Sequence, residues 1–428
     1  MTTSSLAEIA SHIAGYDPNA LPVAQAQEFI ARLVPRVRSV ESLSIRSALG
    51  RVLAHDIVSP IDVPSHDNSA MDGFALRGMD LSSSGSTVLP VAGVGFAGRQ
   101  FDGIVLPSQC VRIMTGAVMP AGLDTVVPQE LVSVDADGQV RVPAGVVRTG
   151  DNRRMRGEDL AKGEPALRAG RLLRPADLGL LASLGRAEVP VFRRLRVAFF
   201  STGDELRSIG EVLDEGCVYD SNRYTLFGML ERLGVDVIDM GVVRDEAPAL
   251  EAAFTQAAAD ADAVITSGGV SVGEADHTKK IMAQLGEVLF WRIAMRPGRP
   301  MAIGRIGSPG REAMLFGLPG NPVAVMVTFY AFVRDALLAM SGASPEPLPM
   351  LRAISATALR KKPGRTEYQR GIVTVGRDGQ VQVRVTGAQG SGILRSMSEA
   401  NGMVVLHHHQ GHVAAGDPVD VIPFNGLI

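Results

Sequence analysis

The sequence predicts a multidomain α/β protein: a domain with a parallel-type sheet, two small β domains and a split N-terminal domain. Three observations lead there. The chain has 428 residues, too many for one ordinary core. From Leu195 to about Met340, short apolar strands alternate with helical segments, the pattern of a parallel sheet buried on both faces. On both sides of that block the texture turns to short alternating runs separated by turn residues, which is how small β domains read.

Taken in order, residues 20–34 read as a helix with Val23, Ile30, Leu33 and Val34 on one face and Pro35 as its stop. Residues 40–58 read as a second, shorter helix followed by a strand. Pro60 to about Thr149 is the first β region. Residues 150–190 start charged and end in the helical segment ADLGLLASLG. If that segment packs on the N-terminal helices, the β region is an insertion. The expected boundaries are therefore 1–58 with 150–190 for the split domain, 59–149 for the inserted β domain, 191–341 for the α/β domain and 350–428 for a C-terminal β domain.

Within the α/β block, strands are expected at 196–200, 235–240, 263–266, 287–293 and 313–318. The helix RYTLFGMLERLG ends at Gly234, as helices prefer. Helix 246–259 places Leu250, Phe254 and Ala257 on one face. LPGNP opens an apolar helix, with Asn321 placed to cap it and Pro322 in its first turn. SGASPEPLP is a linker, and GIVTVGRDGQVQVRV is a hairpin turning at Asp378 and Gly379.

Composition bounds the function. The chain is 46% apolar and 20% charged, which fits a soluble globular protein, and a net charge of −3 offers no nucleic-acid surface. The two cysteines, Cys110 and Cys217, have no metal-type spacing and suit a reducing cytoplasm. The N-terminal stretch lacks the basic start and apolar core of a signal peptide. The longest apolar run, Val323 to Val333, is too short to span a bilayer.

The chemistry centres on Asp262 to Thr278. An apolar run ends in a loop with Gly268, Gly269 and Gly273, carrying Thr266, Ser267 and Ser271 and then Glu274, Asp276 and His277. A helix follows from about Asp276. A strand feeding such a loop and a helix start suits an anion. It is not a Walker A loop, because Glu274 stands where the lysine belongs. A tight turn in an α/β sheet is the other reading. Other polar clusters also follow strands: Asp204 and Glu205; Arg244, Asp245 and Glu246; Arg292, Arg296 and Arg299. One sheet end thus gathers carboxylates, which suit Mg²⁺, and arginines, which suit phosphate and other oxyanions. Together they suggest phosphoryl or nucleotidyl chemistry on an anionic substrate. In DNSAMDGF, Asp67, Asn68 and Asp72 line a site or merely build a turn. Gly93, Gly95 and Gly98 match GxGxxG, but no helix pattern follows, so plain turns are expected. His407, His408, His409 and His412 read as a solvated hairpin end rather than a metal site. Trp291 reads as core.

In order along the chain stand DVPSHDNSAMDGFA, RIMTGAVMP, NRRMRGEDL, STGDEL, TSGGVSVGEADHT, FWRIAMRPGRP and LPGNPVAV. On these motifs essentially the whole chain resembles the molybdopterin molybdenumtransferases, the MoeA family and the C-terminal part of gephyrin. The resemblance implies a four-domain subunit, a homodimer and an active cleft shared between subunits. It implies a reaction in which adenylated molybdopterin and molybdate combine in the presence of Mg²⁺ with release of AMP. Carried over by motif, Asp72 and Thr115 would reach the cleft from the partner subunit. Glu205, Asp245 and Asp276 would hold metal, water or polar groups of the substrate. Ser201, Thr202, Gly268, Gly269 and Ser271 would line the substrate site. Arg292, Arg296 and Arg299 would face phosphate or molybdate, and Pro319 and Pro322 would shape the nearby loop. Arg370 and Ser391 match positions associated with oxyanion or substrate binding. Family members often carry lysines in the FWxxAxxPGxP motif, where this chain has three arginines. Two further functions fit parts of the pattern: a molybdopterin adenylyltransferase, and a non-catalytic molybdopterin-binding scaffold in contact with other molybdenum-cofactor proteins.

Overall fold

The computed structural model describes residues 5–270, 276–308 and 310–424. The chain forms two units. One comprises Met1–Glu41, Gly50–Ala54 and Pro190–Ile428, the other Ser42–Leu49 and His55–Val189.

The first unit is built on a six-stranded sheet. Its order is Asp236–Val243, Arg196–Thr202, Ala263–Ser267, Arg311–Leu318, Pro300–Ser308 and Gly286–Arg292. The first four strands are parallel. Pro300–Ser308 runs antiparallel to both of its neighbours, so the sheet is mixed and not wholly parallel as expected. That strand was not foreseen either, because Gly304 and Gly307 interrupt its apolar run. Two antiparallel steps restore direction, so Gly286–Arg292 again points the same way as the parallel four.

Helices cover the sheet on both faces. Ser221–Leu233 ends at Gly234, whose φ of +68° closes the last turn in the left-handed region. Ala247–Asp260 buries Leu250, Phe254 and Ala257, the expected face. Pro322–Met340 is a 19-residue helix with a π-helical middle at Phe329–Val333. By length and composition it could cross a membrane, but most of it is buried inside the fold. It extends the expected run of 323–333 by one more apolar helical segment, Arg334–Met340.

The N-terminal helices Leu6–Ser11 and Val23–Leu33 close over this same core. Phe29 meets Trp291 edge to face at 5.1 Å, and Trp291 Nε1 donates to Tyr16 Oη at 2.8 Å. Burying such a ring contributes about 1.5–3 kcal/mol. These apolar faces are therefore used within the first unit. The expected partner, helix Pro175–Ser183, belongs to the second unit.

The C-terminal segment forms a closed barrel. Thr366–Val375 pairs with Val381–Val385, then Leu351–Ser355, Pro418–Pro423 and Gly402–Leu406, which returns to Thr366–Val375. The two-residue strand Met295–Arg296 adds to it in parallel, Met295 opposite Thr366 and Arg296 opposite Glu367. The basic loop of the α/β block is thereby stitched to the barrel.

The second unit holds a six-stranded β sheet. Its order is Thr125–Pro128, Gly73–Leu76, Cys110–Ile113, Ser86–Gly95, Gln139–Pro143 and Ser133–Val134. Upstream, the helix expected to open the segment from residue 40 is instead a strand, Val40–Ser44, and one 3₁₀ turn, Ile45–Ser47. VESLS has only Val40 and Leu43 as apolar residues, too few to define a helical face, and its serines favour turns over helix interiors.

Candidate active site at the carboxyl edge of the sheet

Five strands end at one edge. Register places Ser201 beside Ser267, Ser267 beside Leu318, and Arg292 beside Pro300. Beyond Ser267 the chain takes φ of +97° at Gly268 and +69° at Gly269. A Cβ on Gly268 would drive into the Thr202 carbonyl oxygen, so only glycine lets the loop lie this close to its neighbour strand. Gly268 N donates to Leu318 O at 3.1 Å, joining the loop to the start of Leu318-Pro319-Gly320. Pro319 is buried, and Pro322 takes the first helical position behind it. Asn321 holds the N-cap position, but its side chain makes no capping bond.

Polar side chains are buried along this edge. Ser201, Thr202, Thr266 and Ser267 are at most 5% exposed. The hydroxyls of Ser201, Thr202 and Thr266 have no hydrogen-bond partner among the described residues. An unsatisfied buried hydroxyl costs about 1–3 kcal/mol, which a polar ligand or water at this edge would recover.

The carboxylates flank the loop. Glu205 is exposed and lies over Gly203, where an added Cβ would sit 2.6 Å from its Oε2. Asp245 accepts from Thr278 Oγ1 at 3.2 Å, and its own amide donates to Asp204 Oδ1 at 3.3 Å. No arginine or lysine among the described residues is ion-paired with Glu205 or Asp245. Asp276 opens the helix Asp276–Leu285, but its side chain, with Ser271 and Glu274, lies outside the described residues. Among the described residues no three His, Cys, Asp or Glu side chains gather as a metal cage.

The arginines divide into two kinds. Arg292, at the end of its strand, Arg296, in the short strand after it, and Arg299 are exposed, with no hydrogen bond or ion pair from their guanidinium groups among the described residues. Arg370 is 0% exposed. Its Nε donates to Ser396 Oγ at 2.9 Å, Nη1 to Gln389 O at 3.2 Å, and Nη2 to Ala388 O at 3.3 Å and Gly390 O at 2.9 Å. Burial lowers its pKa, and the nearby positive charge of Arg296 adds to that. The geometry makes Arg370 the pin of the loop 388–391, rather than a side chain presented to an oxyanion. Ser391 continues that loop, and its carbonyl accepts from Val323 N at 3.0 Å, at the start of the Pro322 helix.

In the second unit, Asp72 precedes strand Gly73–Leu76 and Thr115 follows strand Cys110–Ile113. Asp72 Oδ1 accepts from both Thr115 N and Thr115 Oγ1, each at 2.7 Å. The Thr115 hydroxyl, then its amide, hold the Asp72 carboxyl below its ordinary range. Asp67 is taken by Arg153 and by the amide of Arg156, which makes it a turn-builder.

Three family models cover most of the chain: "MoeA N-terminal region (domain I and II)" on residues 21–185, "Probable molybdopterin binding domain" on 198–339 and "MoeA C-terminal region (domain IV)" on 352–424. A molybdopterin molybdenumtransferase of Haemophilus influenzae is 42% identical over 409 residues, 95% of this chain and 100% of the relative. The chain belongs to the molybdopterin molybdenumtransferase family. It is an enzyme of molybdenum cofactor biosynthesis. A molybdopterin molybdenumtransferase of Nostoc sp. is 35% identical, covering 94% of this chain and 93% of the relative. Among solved structures, the molybdopterin biosynthesis moeA protein from Pyrococcus horikoshii aligns with a TM-score of 0.80 and 28% identity. It covers 94% of this chain and 99% of that one.

For a molybdenumtransferase, several features of the chain are plain architecture. Gly93 and Gly95 lie in strand Ser86–Gly95 and no helix follows, so the GxGxxG match is strand and turn. His407 Nε2 pairs with Asp420 Oδ2 at 2.7 Å, and His412 Nδ1 accepts from Lys361 N at 3.2 Å. Cys110 is buried, its thiol pushed up to about 12 by burial, and both cysteines are free. A cleft of about 670 Å³ beside Tyr219 and Tyr224 contains none of the expected site residues. Two residues at the carboxyl edge were missed: Asn222 and Thr278, both buried there. The capping triplet Asp220-Ser221-Asn222 was the available signal, since it starts the helix two residues before Arg223.

Proposed function

We propose that this molybdenumtransferase joins molybdate to adenylated molybdopterin and releases AMP, in a Mg²⁺-dependent reaction. The observation that carries this is the juxtaposition at one sheet edge. A glycine loop, next to buried strand-end hydroxyls that have no partner among the described residues, lies between carboxylates and three exposed arginines whose guanidinium groups have none there either. Such an edge suits an anion at the glycine loop and the charged part of the substrate at the arginines.

The donor set fits Mg²⁺. Glu205 and Asp245 are hard oxygen donors uncommitted to any cation among the described residues, and this ion commonly takes one or two carboxylates plus substrate phosphate. Asp276 is proposed as the third member of that set. When bound, the ion neutralises negative charge on the phosphate anhydride. The protein's own share is positioning. Gly268, Gly269 and Ser271 cradle the pterin phosphate, with Ser201 and Thr202 beneath them. Pro319 and Pro322 fix the facing loop. Arg292, Arg296 and Arg299 orient phosphate or molybdate; they keep the positive charge of the lysines common in relatives and add forked geometry. Arg370 acts indirectly, by holding the loop that presents Ser391.

In this reading Asp72 and Thr115 act from a second copy of the chain in a homodimer, at work in the cytoplasm. The domain boundaries expected from sequence belong to the same proposal. Adenylation of molybdopterin is the competing activity, and ATP-dependent adenylation by the purified enzyme would overturn the assignment. The direct test mixes protein, adenylated molybdopterin, Mg²⁺ and molybdate. AMP release and reconstitution of a molybdenum-dependent apo-enzyme are expected, both requiring molybdate. Loss of both with retained substrate binding would leave a scaffold.

A further inference from the structure

Asn222 is 6% exposed and sits in the first turn of the helix Ser221–Leu233, behind the glycine loop. Its Nδ2 donates to Ser267 Oγ and to Gly320 O, both at 2.7 Å. A carbonyl only accepts, so the Gly320 contact fixes which end of the amide faces the two loops. The same nitrogen then donates to Ser267, whose hydroxyl oxygen serves as acceptor. The Ser267 proton is left for another partner. Ser267 is 1% exposed and directly precedes Gly268 and Gly269. Asn222 Oδ1 is itself buried without a partner among the described residues.

We infer that Asn222 is a positioning residue for substrate binding. It clamps the 267–269 loop to the 319–321 loop and turns the Ser267 hydroxyl into a committed donor toward the anion held at that edge. This rests on the proposed function, since the anion is the phosphate of molybdopterin. A helix-packing asparagine would only hold the fold; a residue acting through Ser267 must also be coupled to it in binding.

The test is a double-mutant cycle on the full chain with Asn222→Asp and Ser267→Ala, read as the dissociation constant for adenylated molybdopterin and as KM and kcat for AMP release. In Asn222→Asp the new carboxylate accepts the Ser267 proton and faces the Gly320 carbonyl. Each single variant is expected to weaken binding about tenfold, mainly in KM, with the double variant no weaker than Asn222→Asp alone. Circular dichroism and thermal unfolding establish that each variant is folded; should Asn222→Asp fail to fold, Asn222→Ser replaces it in the cycle. Wild-type affinity in the folded Asn222 variant, or effects that multiply in the double variant, would overturn the inference while leaving the function intact. A wild-type protein that does not bind adenylated molybdopterin would overturn both.

Discussion

Arg296 and Arg370 stand on neighbouring strands of one barrel edge, yet they are used in opposite ways. Arg296, opposite Glu367 in the parallel pairing, is exposed and unpartnered among the described residues. Arg370, three residues beyond Glu367, is wholly buried and spends four donor contacts on one serine and three carbonyls. No carboxylate pairs with it among those bonds. A buried cation is tolerated here because its donors replace much of the lost hydration. The lesson is that positive charge near an anion site does not mark a ligand. What matters is whether the donors are still uncommitted.

Breaking the buried member should have the largest effect. Arg370→Met removes the four guanidinium bonds and leaves the carbonyls of 388–390 and Ser396 Oγ without these partners, while the residue-370 amide still donates to Gln389 Oε1. Unfolding free energy should fall by about 3 kcal/mol in urea titration. Arg370→Lys should rescue little, because one ammonium cannot reproduce the planar fork. Unchanged stability in both variants would show that the pin is unnecessary.

The exposed member should behave in the reverse way. Arg296→Ala should leave stability within about 0.5 kcal/mol of wild type while lowering kcat/KM for AMP release about tenfold. Arg296→Lys should recover most of that loss, since the charge is retained. An alanine variant with full activity would remove Arg296 from the oxyanion set.

The same distinction explains what could be read from the sequence. The helix ending at Gly234 was legible because left-handed backbone demands a residue of that kind, and the face of Leu250, Phe254 and Ala257 was legible from its period. The glycine loop, the three arginines and the carboxylates after strands were found as residue types in order along the chain. Their packing was not. Arg370 reads identically to Arg296 until burial is known. Asn222 is one more polar residue in a capping triplet until Ser267 and Gly320, distant in sequence, arrive beside it. Strand Pro300–Ser308 owes its place to partners on both sides, and its interrupted apolar run could not show them. Local rules thus reached the elements, while commitments made through tertiary contact stayed hidden.

Carboxylates offer the finest version of the comparison. The Glu205 carboxylate has no hydrogen bond from a donor among the described residues, whereas Asp72 is held by two Thr115 donors on one oxygen. The Thr115 hydroxyl and amide keep the Asp72 pKa below 3.8, its ordinary value. Asp72 therefore stays ionised as pH falls through 3.8, and any contribution it makes as a carboxylate is lost only below that point. Thr115→Val deletes the hydroxyl bond and keeps the amide bond, so the Asp72 titration should move up toward the ordinary value. Thr115→Ser should leave it in place. Carbon-13 NMR of the aspartate carboxyl reads this directly, without substrate. The acid limb of the AMP-release profile should follow in the same direction if Asp72 acts as a carboxylate in the reaction. A titration that shifts while the acid limb stays fixed would confine Thr115 and Asp72 to shaping the turn, and equal titrations in all three proteins would show that the hydroxyl bond does not set the charge state.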